Sequence, residues 1–297
     1  MILNLSKALV YTAVFSVFLT PFDFKLAKKI GAIDIPKDTR RMHTKPIPRI
    51  GGISIFVSFL IFCLLFQKEA APDATAFLSG ASVIISLGIV DDSVSLSAKN
   101  KLFFQLVAAA LSVWGAEDFT QKILSVLWLT TLTNAHNFID GLNGLCVGVS
   151  INESAAIGIL LLLVGQTAPA LISFALCGAC IGFYPYNAGK AKIFMGDTGS
   201  NFLGFALGCL SLYLKKHVSG LALPLVFFAI FSLPITDITY AVTRRILNGR
   251  SPFTPDRSHI HHLLADSKLG HTTASLVLRI ISLVSASLGV ILFFIFR

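Results

Sequence analysis

The chain has 297 residues, of which 55% are hydrophobic and only 13% are charged, with a mean hydropathy of +0.78. Soluble domains carry roughly a quarter charged residues, so this composition excludes a soluble protein and leaves an integral membrane one. The formal net charge of +9 fits basic loops on the cytoplasmic side of a bilayer and not nucleic-acid binding, because no basic stripe interleaves with aromatic residues.

Apolar runs of roughly 20 residues, instead of alternating ten-residue segments, predict helices and not a barrel. In chain order they cover 1–20, 51–67, 75–90, 102–115, 121–134, 145–164, 169–185, 200–214, 220–241 and 274–296. The expected fold is all-α, a single integral membrane domain over 1–297 with about ten transmembrane helices and both termini outside. The first run reads as a retained helix and not a cleaved signal peptide, since no small-residue cleavage site follows it but Lys25, Lys28 and Lys29 do. Most of the 24 basic residues sit in alternate loops, around Lys25–Arg49, Lys99–Lys101, Lys190–Lys192 and Arg244–Lys268, which assigns those loops to the cytoplasm. Five cysteines lie in or beside apolar runs; Cys177 and Cys180 have redox spacing but no electropositive neighbour, and are read as small packing residues.

The cytoplasmic loops also hold every polar cluster. The first, Asp34–Gly52, is basic and stiffened by Pro46 and Pro48, and by itself could be an anchor for anionic headgroups. Asp91 and Asp92 follow an apolar helix directly, where each opposes the helix dipole at about 0.3–1 kcal/mol; a bound cation, or Lys99 and Lys101, would offset that cost. Asn137, Asp140 and Asn143 recur every third residue, lining one face if helical, while Gly141 and Gly144 would break the helix into a capped turn instead.

The stretch Asn187–Asn201 sets Lys190, Lys192, Asp197 and three glycines between two apolar runs. Free N–H groups of Gly196–Ser200 at the coming helix start would favour an anion. Asp197 among them points to Mg²⁺, or Mn²⁺ in its place, joining the carboxylate to substrate phosphates. The last cluster, Pro252–His262, gathers Asp256, Arg257, His259, His261 and His262. His259 and His262 could begin a zinc site, but no Cys or Glu stands at ligand spacing; Arg257 with the histidines suits phosphate better. A cation-coupled transporter would carry acids at mid-span in interrupted helices, whereas Asp91, Asp92, Asp140 and Asp197 all fall at one edge.

Taken together and in order, these motifs resemble the polyprenyl-phosphate N-acetylhexosamine-1-phosphate transferases: Pro46-x-Pro48-x-x-Gly51-Gly52, Asp91-Asp92, Asn134-x-x-Asn137-x-x-Asp140-Gly141, Phe194-Met195-Gly196-Asp197-x-Gly199-Ser200 and the terminal histidine motif. The form Asp256-Arg257-Ser258-His259-Ile260-His261-His262 is similar to the GlcNAc-type branch and not to the pentapeptide translocases. Two positions depart from the family, Asn143 where many bacterial members carry Asp and Ser95 where a charged residue is common.

The resemblance implies transfer of a sugar-1-phosphate from a UDP-sugar to undecaprenyl phosphate at the cytoplasmic face of the bacterial inner membrane, with release of UMP. GlcNAc is the default sugar, with GalNAc, FucNAc, QuiNAc and MurNAc-pentapeptide as alternatives, and a homodimer is left open. By resemblance Asp197, with Asp92, holds the metal. Asn137, Asp140, Asn143 and Asn187 hold the nucleotide, and Phe194 faces the uracil ring. Arg257, His259, His261 and His262 hold phosphates together with Lys45 and Lys101, and Asp91 acts on the lipid phosphate. A phosphate monoester has a second pKa of about 6 and is already largely ionised at neutral pH, so Asp91 could position the acceptor as readily as deprotonate it.

Overall fold

The computed structural model describes residues 2–36, 45–66, 74–113, 118–217, 222–251 and 259–296. Among them are twelve α-helices: α1 Ile2–Ile30, α2 Gly52–Phe66, α3 Ala74–Val94, α4 Ala98–Ser112, α5 Phe119–Ile139, α6 Leu145–Leu163, α7 Thr167–Asn187, α8 Gly196–Leu212, α9 Ala222–Ile230, α10 Ser232–Leu247, α11 Ile260–Ala265 and α12 Gly270–Phe296. Two short antiparallel strands, β1 Ile33–Asp34 and β2 Ile47–Pro48, pair Ile33 with Pro48. All ten predicted runs fall on helices, with three differences.

First, α1 continues ten residues past its expected end. Lys28 and Lys29 in its last turn complement the dipole, and Gly31 at φ 75° closes it, with the Ala32 N–H donating to the Ala27 carbonyl at 3.0 Å. Second, the run 220–241 is two helices bent by 89°. The ring of Pro234 would clash with the Ile230 carbonyl four residues earlier if the helix ran through, so α9 stops at Ile230 and Pro234 is taken up in the first turn of α10. Third, the short α11 was not foreseen, because six residues of histidine and leucine carry no helix-length pattern.

Five helices, α1, α3, α6, α7 and α12, are long and apolar enough to cross a membrane, and the bent pair α9–α10 makes a sixth if counted as one span. The chain is a multi-pass helical membrane protein, and its outward side chains are correspondingly apolar, as with Phe18, Phe119, Val284 and Ile295. The remaining expected crossings, α2, α4, α5 and α8, are shorter or more polar; α5 alone carries Asn134, His136 and Asn137.

The most buried helix is α8, with thirteen of its residues, Thr198 to Ser211, inside the protein, packed against α2, α3 and α5. Its first turn is approached by two glycines. A Cβ on Gly52 would fall inside the backbone of Gly199, and one on Gly88 inside the backbone of Thr198. The pair Gly178 and Gly182 on α7 does the same for α1, where a Cβ would meet the carbonyls of Leu9 and Ala13. Without a hydrophobic driving force between helices in lipid, such small-residue crossings set how closely backbones approach.

Gly88→Ala is therefore expected to destabilise the protein by about 1–3 kcal/mol through overpacking; a thermal midpoint in detergent equal to that of the unsubstituted protein would contradict this crossing.

Candidate active site

The polar clusters converge where the ends of α3 and α5 meet the starts of α4 and α8. Asp91 and Asp92 occupy the last turn of α3, both buried. Their cost against the helix dipole is offset in two ways. Arg49, presented by the segment that includes β2, donates from Nε to the Asp92 carbonyl and from Nη2 to the Asp91 carbonyl, each at 3.1 Å. Both are helix-terminal carbonyls, that of Asp91 accepting also the Ser95 N–H at 2.9 Å. That segment is pinned on both sides, by the Arg49 N–H to the Ala32 carbonyl at 3.0 Å and by the Phe194 N–H to the Pro48 carbonyl at 2.8 Å.

The second offset is Lys101. The three-residue link from α3 to α4 turns back sharply, with Ser95 at a left-handed φ of 55°, and the Leu96 N–H donates to Asp91 Oδ1 at 2.6 Å. Ser97 caps α4 by accepting from the Asn100 N–H at 3.3 Å. One turn into α4, Lys101 then lies between two carboxylates, in contact with Asp91 Oδ2 and 2.7 Å from Asp197 Oδ2. The Asp197 side chain is 23% exposed, whereas that of Asp92 is fully enclosed.

Asp92 does not face the solvent side of this group. Its Oδ1 accepts the Asp197 N–H at 3.0 Å, and its Oδ2 accepts the Thr198 N–H at 3.0 Å and the Thr198 hydroxyl at 2.7 Å. The first turn of α8 does bind an anion, as the free N–H groups of Gly196–Ser200 lead one to expect, but the anion is the protein's own carboxylate. Asp92, expected to join Asp197 at the metal, therefore has both oxygens engaged in capping α8.

On the α5 side, Asn137 is helical and donates to Ser200 Oγ at 3.1 Å, while Asp140 caps the helix end and Asn143 lies in the turn that follows. The glycines, not the three-residue spacing, decide that stretch. Burial above all, and then the charges of Asp197 and Asp92, push the Asp140 carboxyl well above the usual carboxylate range. Asn134 and Gln105 extend the network, Asn134 Nδ2 donating to Gln105 Oε1 at 2.7 Å and Gln105 Nε2 to Asn201 Oδ1 at 3.3 Å.

Asn187, expected to hold the nucleotide, has both ends of its amide engaged within the protein. It is buried, its Oδ1 accepts the Gly144 N–H and its Nδ2 donates to the Ile193 carbonyl, both at 3.0 Å, so it ties the α5–α6 turn to the α7–α8 loop. Asn143 is exposed and donates to the Gly189 carbonyl at 2.8 Å across the same seam. Phe194 is half-buried beside Gly51, and Lys45 is exposed just before β2.

The histidine motif is anchored by a residue the sequence did not single out, Asp237 of α10. Its Oδ1 accepts the Ile260 N–H at the start of α11, and its Oδ2 lies 2.8 Å from His259 Nδ1. Arg245 Nη2, two turns along α10, is 3.3 Å from His259 Nε2. A guanidinium has no acceptor, so Nε2 is the accepting nitrogen and Nδ1–H donates to Asp237. His259, expected to contact phosphate, is thus held between Asp237 and Arg245, and ligand atoms of Asp237, His259 and His261 all lie within 4.8 Å of one another. His261 is buried with neither ring nitrogen hydrogen-bonded, packed on Gly141 next to Asp140, and 4.3 Å centre to centre from His262. Arg257 lies outside the described residues. Arg49, Asp237 and Arg245 were missed because each acts on backbone or on residues far away in sequence.

Residues 74–215, which span α3 to α8, match the family model described as Glycosyl transferase family 4. A probable undecaprenyl-phosphate N-acetylglucosaminyl 1-phosphate transferase of Bacillus subtilis is 36% identical, covering 92% of this chain and 81% of that protein. A decaprenyl-phosphate N-acetylglucosaminephosphotransferase of Mycobacterium tuberculosis is 34% identical over 90% and 76%. The undecaprenyl-phosphate alpha-N-acetylglucosaminyl 1-phosphate transferase of Escherichia coli K12 is 30% identical over 98% and 84%.

Replacing Asp92 with Ala removes the acceptor for two N–H groups and a hydroxyl and is expected to lower stability by at least about 0.5–2 kcal/mol, with Asn restoring part of it. Thermal unfolding in detergent reads the effect, and an unchanged midpoint for the alanine variant would refute the capping role.

Proposed function

Since the chain belongs to glycosyl transferase family 4, the family of the polyprenyl-phosphate N-acetylhexosamine-1-phosphate transferases, we propose that it transfers N-acetylglucosamine-1-phosphate from UDP-GlcNAc to undecaprenyl phosphate. The reaction takes place at the cytoplasmic face of the bacterial inner membrane. A phosphate oxygen of the lipid forms a bond to the β-phosphorus of the nucleotide sugar, the α–β bridging bond breaks, and UMP leaves with the bridging oxygen.

The observation that carries this reading is the junction of Asp91, Lys101 and Asp197. Three charged groups from three helices meet at the edge of an apolar bundle, and one of the carboxylates stays partly open. Bringing a lipid phosphate up to a diphosphate gathers several negative charges, so such a site needs cations and fixed dipoles more than it needs a nucleophilic side chain.

The donor set of Asp91 and Asp197 is hard oxygen, which fits Mg²⁺, with Mn²⁺ as a substitute. When bound, the ion would neutralise phosphate charge at the reacting centre. Asp197, the more open of the two, is its principal ligand. Lys101 offers the phosphates a cation already held in place, and Asp91 orients the lipid phosphate. Asn137 and Asp140 face the nucleotide side, with Asn143 and Phe194 at the uracil. His261, packed on Gly141 beside Asp140, and His262 next to it bind phosphate oxygens. Asp92, Asn187, Asp237 and His259 hold these groups in position.

Asp197→Asn is expected to cut UMP release by on the order of 10²–10³-fold while the protein stays folded in membranes, and His262→Ala to reduce it without loss of expression. The assay supplies undecaprenyl phosphate, Mg²⁺ and a panel of UDP-sugars. UMP that appears only with lipid phosphate and divalent ion, fastest from UDP-GlcNAc, is the expected result. No UMP from any UDP-sugar with folded protein would overturn the reaction, and a faster rate with another sugar would replace GlcNAc.

A further inference from the structure

Away from the acid cluster, α6, α7 and α12 border an open groove of about 320 Å³ whose lining includes Ile151, Asn152, Tyr184, Leu276, Arg279 and Ile280. None of these residues belongs to α3, α4, α5 or α8, which carry the acid cluster. Arg279 is the unusual member. It stands inside the apolar α12, a helix long enough to span a bilayer, and no carboxylate of the described residues pairs with it. Its Nε donates to the Ser275 carbonyl at 3.2 Å, Nη1 contacts the Tyr184 hydroxyl, and the guanidinium carbon lies 5.1 Å from the Tyr184 ring centre. Neither partner carries negative charge, so the cation is held in place but not neutralised. An uncompensated charge in an apolar setting is costly, and that cost falls if an anion occupies the pocket.

Depth and lining identify the anion. Arg279 is nine residues into α12, about 14 Å from its start, but its side chain reaches back toward Ser275, about 8 Å from that start. The end concerned is the site end, because Ser275 Oγ donates to the Asn143 carbonyl at 2.9 Å. Tyr184 likewise lies within one turn of the end of α7 at Asn187. The guanidinium therefore sits near headgroup level. Beyond it, Leu276, Ile280 and Leu283 follow one face of α12 and are each about half exposed, at 47%, 51% and 52%. A fixed cation at headgroup depth above an outward apolar stripe matches one phosphodiester with acyl chains below it.

We infer that this pocket binds an anionic diacyl phospholipid, at a site separate from that of the polyprenyl acceptor, with Arg279 forking the headgroup phosphate and the α12 stripe seating an acyl chain. Asn152, which donates to the Arg279 carbonyl at 3.0 Å, fixes the backbone behind it.

The test uses the whole purified chain in detergent, with lipid retention read by native mass spectrometry after addition of phosphatidylglycerol or phosphatidylcholine. The expected result is one phosphatidylglycerol retained in preference to phosphatidylcholine. Arg279→Gln should weaken that retention at least about tenfold, the scale of a charged hydrogen-bond pair, and Arg279→Lys should keep most of it. Should the glutamine variant fail to fold, Ile280→Glu, which keeps Arg279 and sets a competing carboxylate in the same pocket, should also abolish retention. Equal retention of the two lipids, or unchanged retention in Arg279→Gln or Ile280→Glu, would overturn the site. Competition by inorganic phosphate alone would make it a plain anion site, and displacement of phosphatidylglycerol by undecaprenyl phosphate would give the pocket to the acceptor; either result overturns the proposal. Because binding and not turnover is read, these outcomes are independent of whether the transferase assay succeeds.

Discussion

Helices that begin inside a membrane protein have no water for their first N–H groups, and among the described residues that constraint is met three times with a carboxylate from another helix. Asp92 of α3 accepts from the Asp197 and Thr198 N–H groups of α8. Asp23 of α1 accepts from the Ser54 N–H of α2 at 3.1 Å, and Asp237 of α10 from the Ile260 N–H of α11. Each bond couples two helices at a fixed height, so the placement of every polar loop follows from these junctions. The Asp92 junction matters most. With Gly88 and Gly52 allowing backbone contact at the same turn, it sets the register of α3 against α8 and puts Asp91 and Asp197 on either side of one lysine.

Two adjacent acids on α3 thereby acquire different characters. Asp92 is spent on structure, its side chain closed off and its oxygens engaged, and Asp91 is turned toward Lys101 by the tight Ser95 turn. Arg49 makes the pair tolerable by binding the carbonyls at the end of α3 and by pairing with Asp92 Oδ1 at 3.6 Å, which leaves Asp91 available to the opposite face. The basic segment around Pro46 and Pro48 could have been a headgroup anchor on its sequence; its paired strands and its bonds to Ala32 and Phe194 make it part of the site wall.

Much of this was legible in the sequence because it is local. Long apolar runs identify helices, and acids, amides and histidines clustered in alternate loops place one site at one edge. What escaped was relational. Nothing within a few residues of Asp92 shows that its partners are Asp197 and Thr198, about a hundred positions on, nor that the amide of Asn187 is consumed by Gly144 and Ile193. Asp237 sits in an apolar run with no motif about it, and its role appears only when α10 is packed under the histidines. The break between α9 and α10 was written in Pro234, yet apolar composition on both sides made the run read as continuous.

Lys101 also bears on the ion that the site would take. Its ammonium lies between Asp91 and Asp197 as a tethered counter-ion, and a divalent ion arriving from solution would compete with it for those carboxylates. The tethered charge has little translational freedom left to lose, whereas the arriving one gives up its own and part of its hydration shell. Such a contest weakens retention of the ion compared with a bare pair of acids. A site so arranged would fill and empty with the surrounding concentration of free ion and would not keep a permanent occupant.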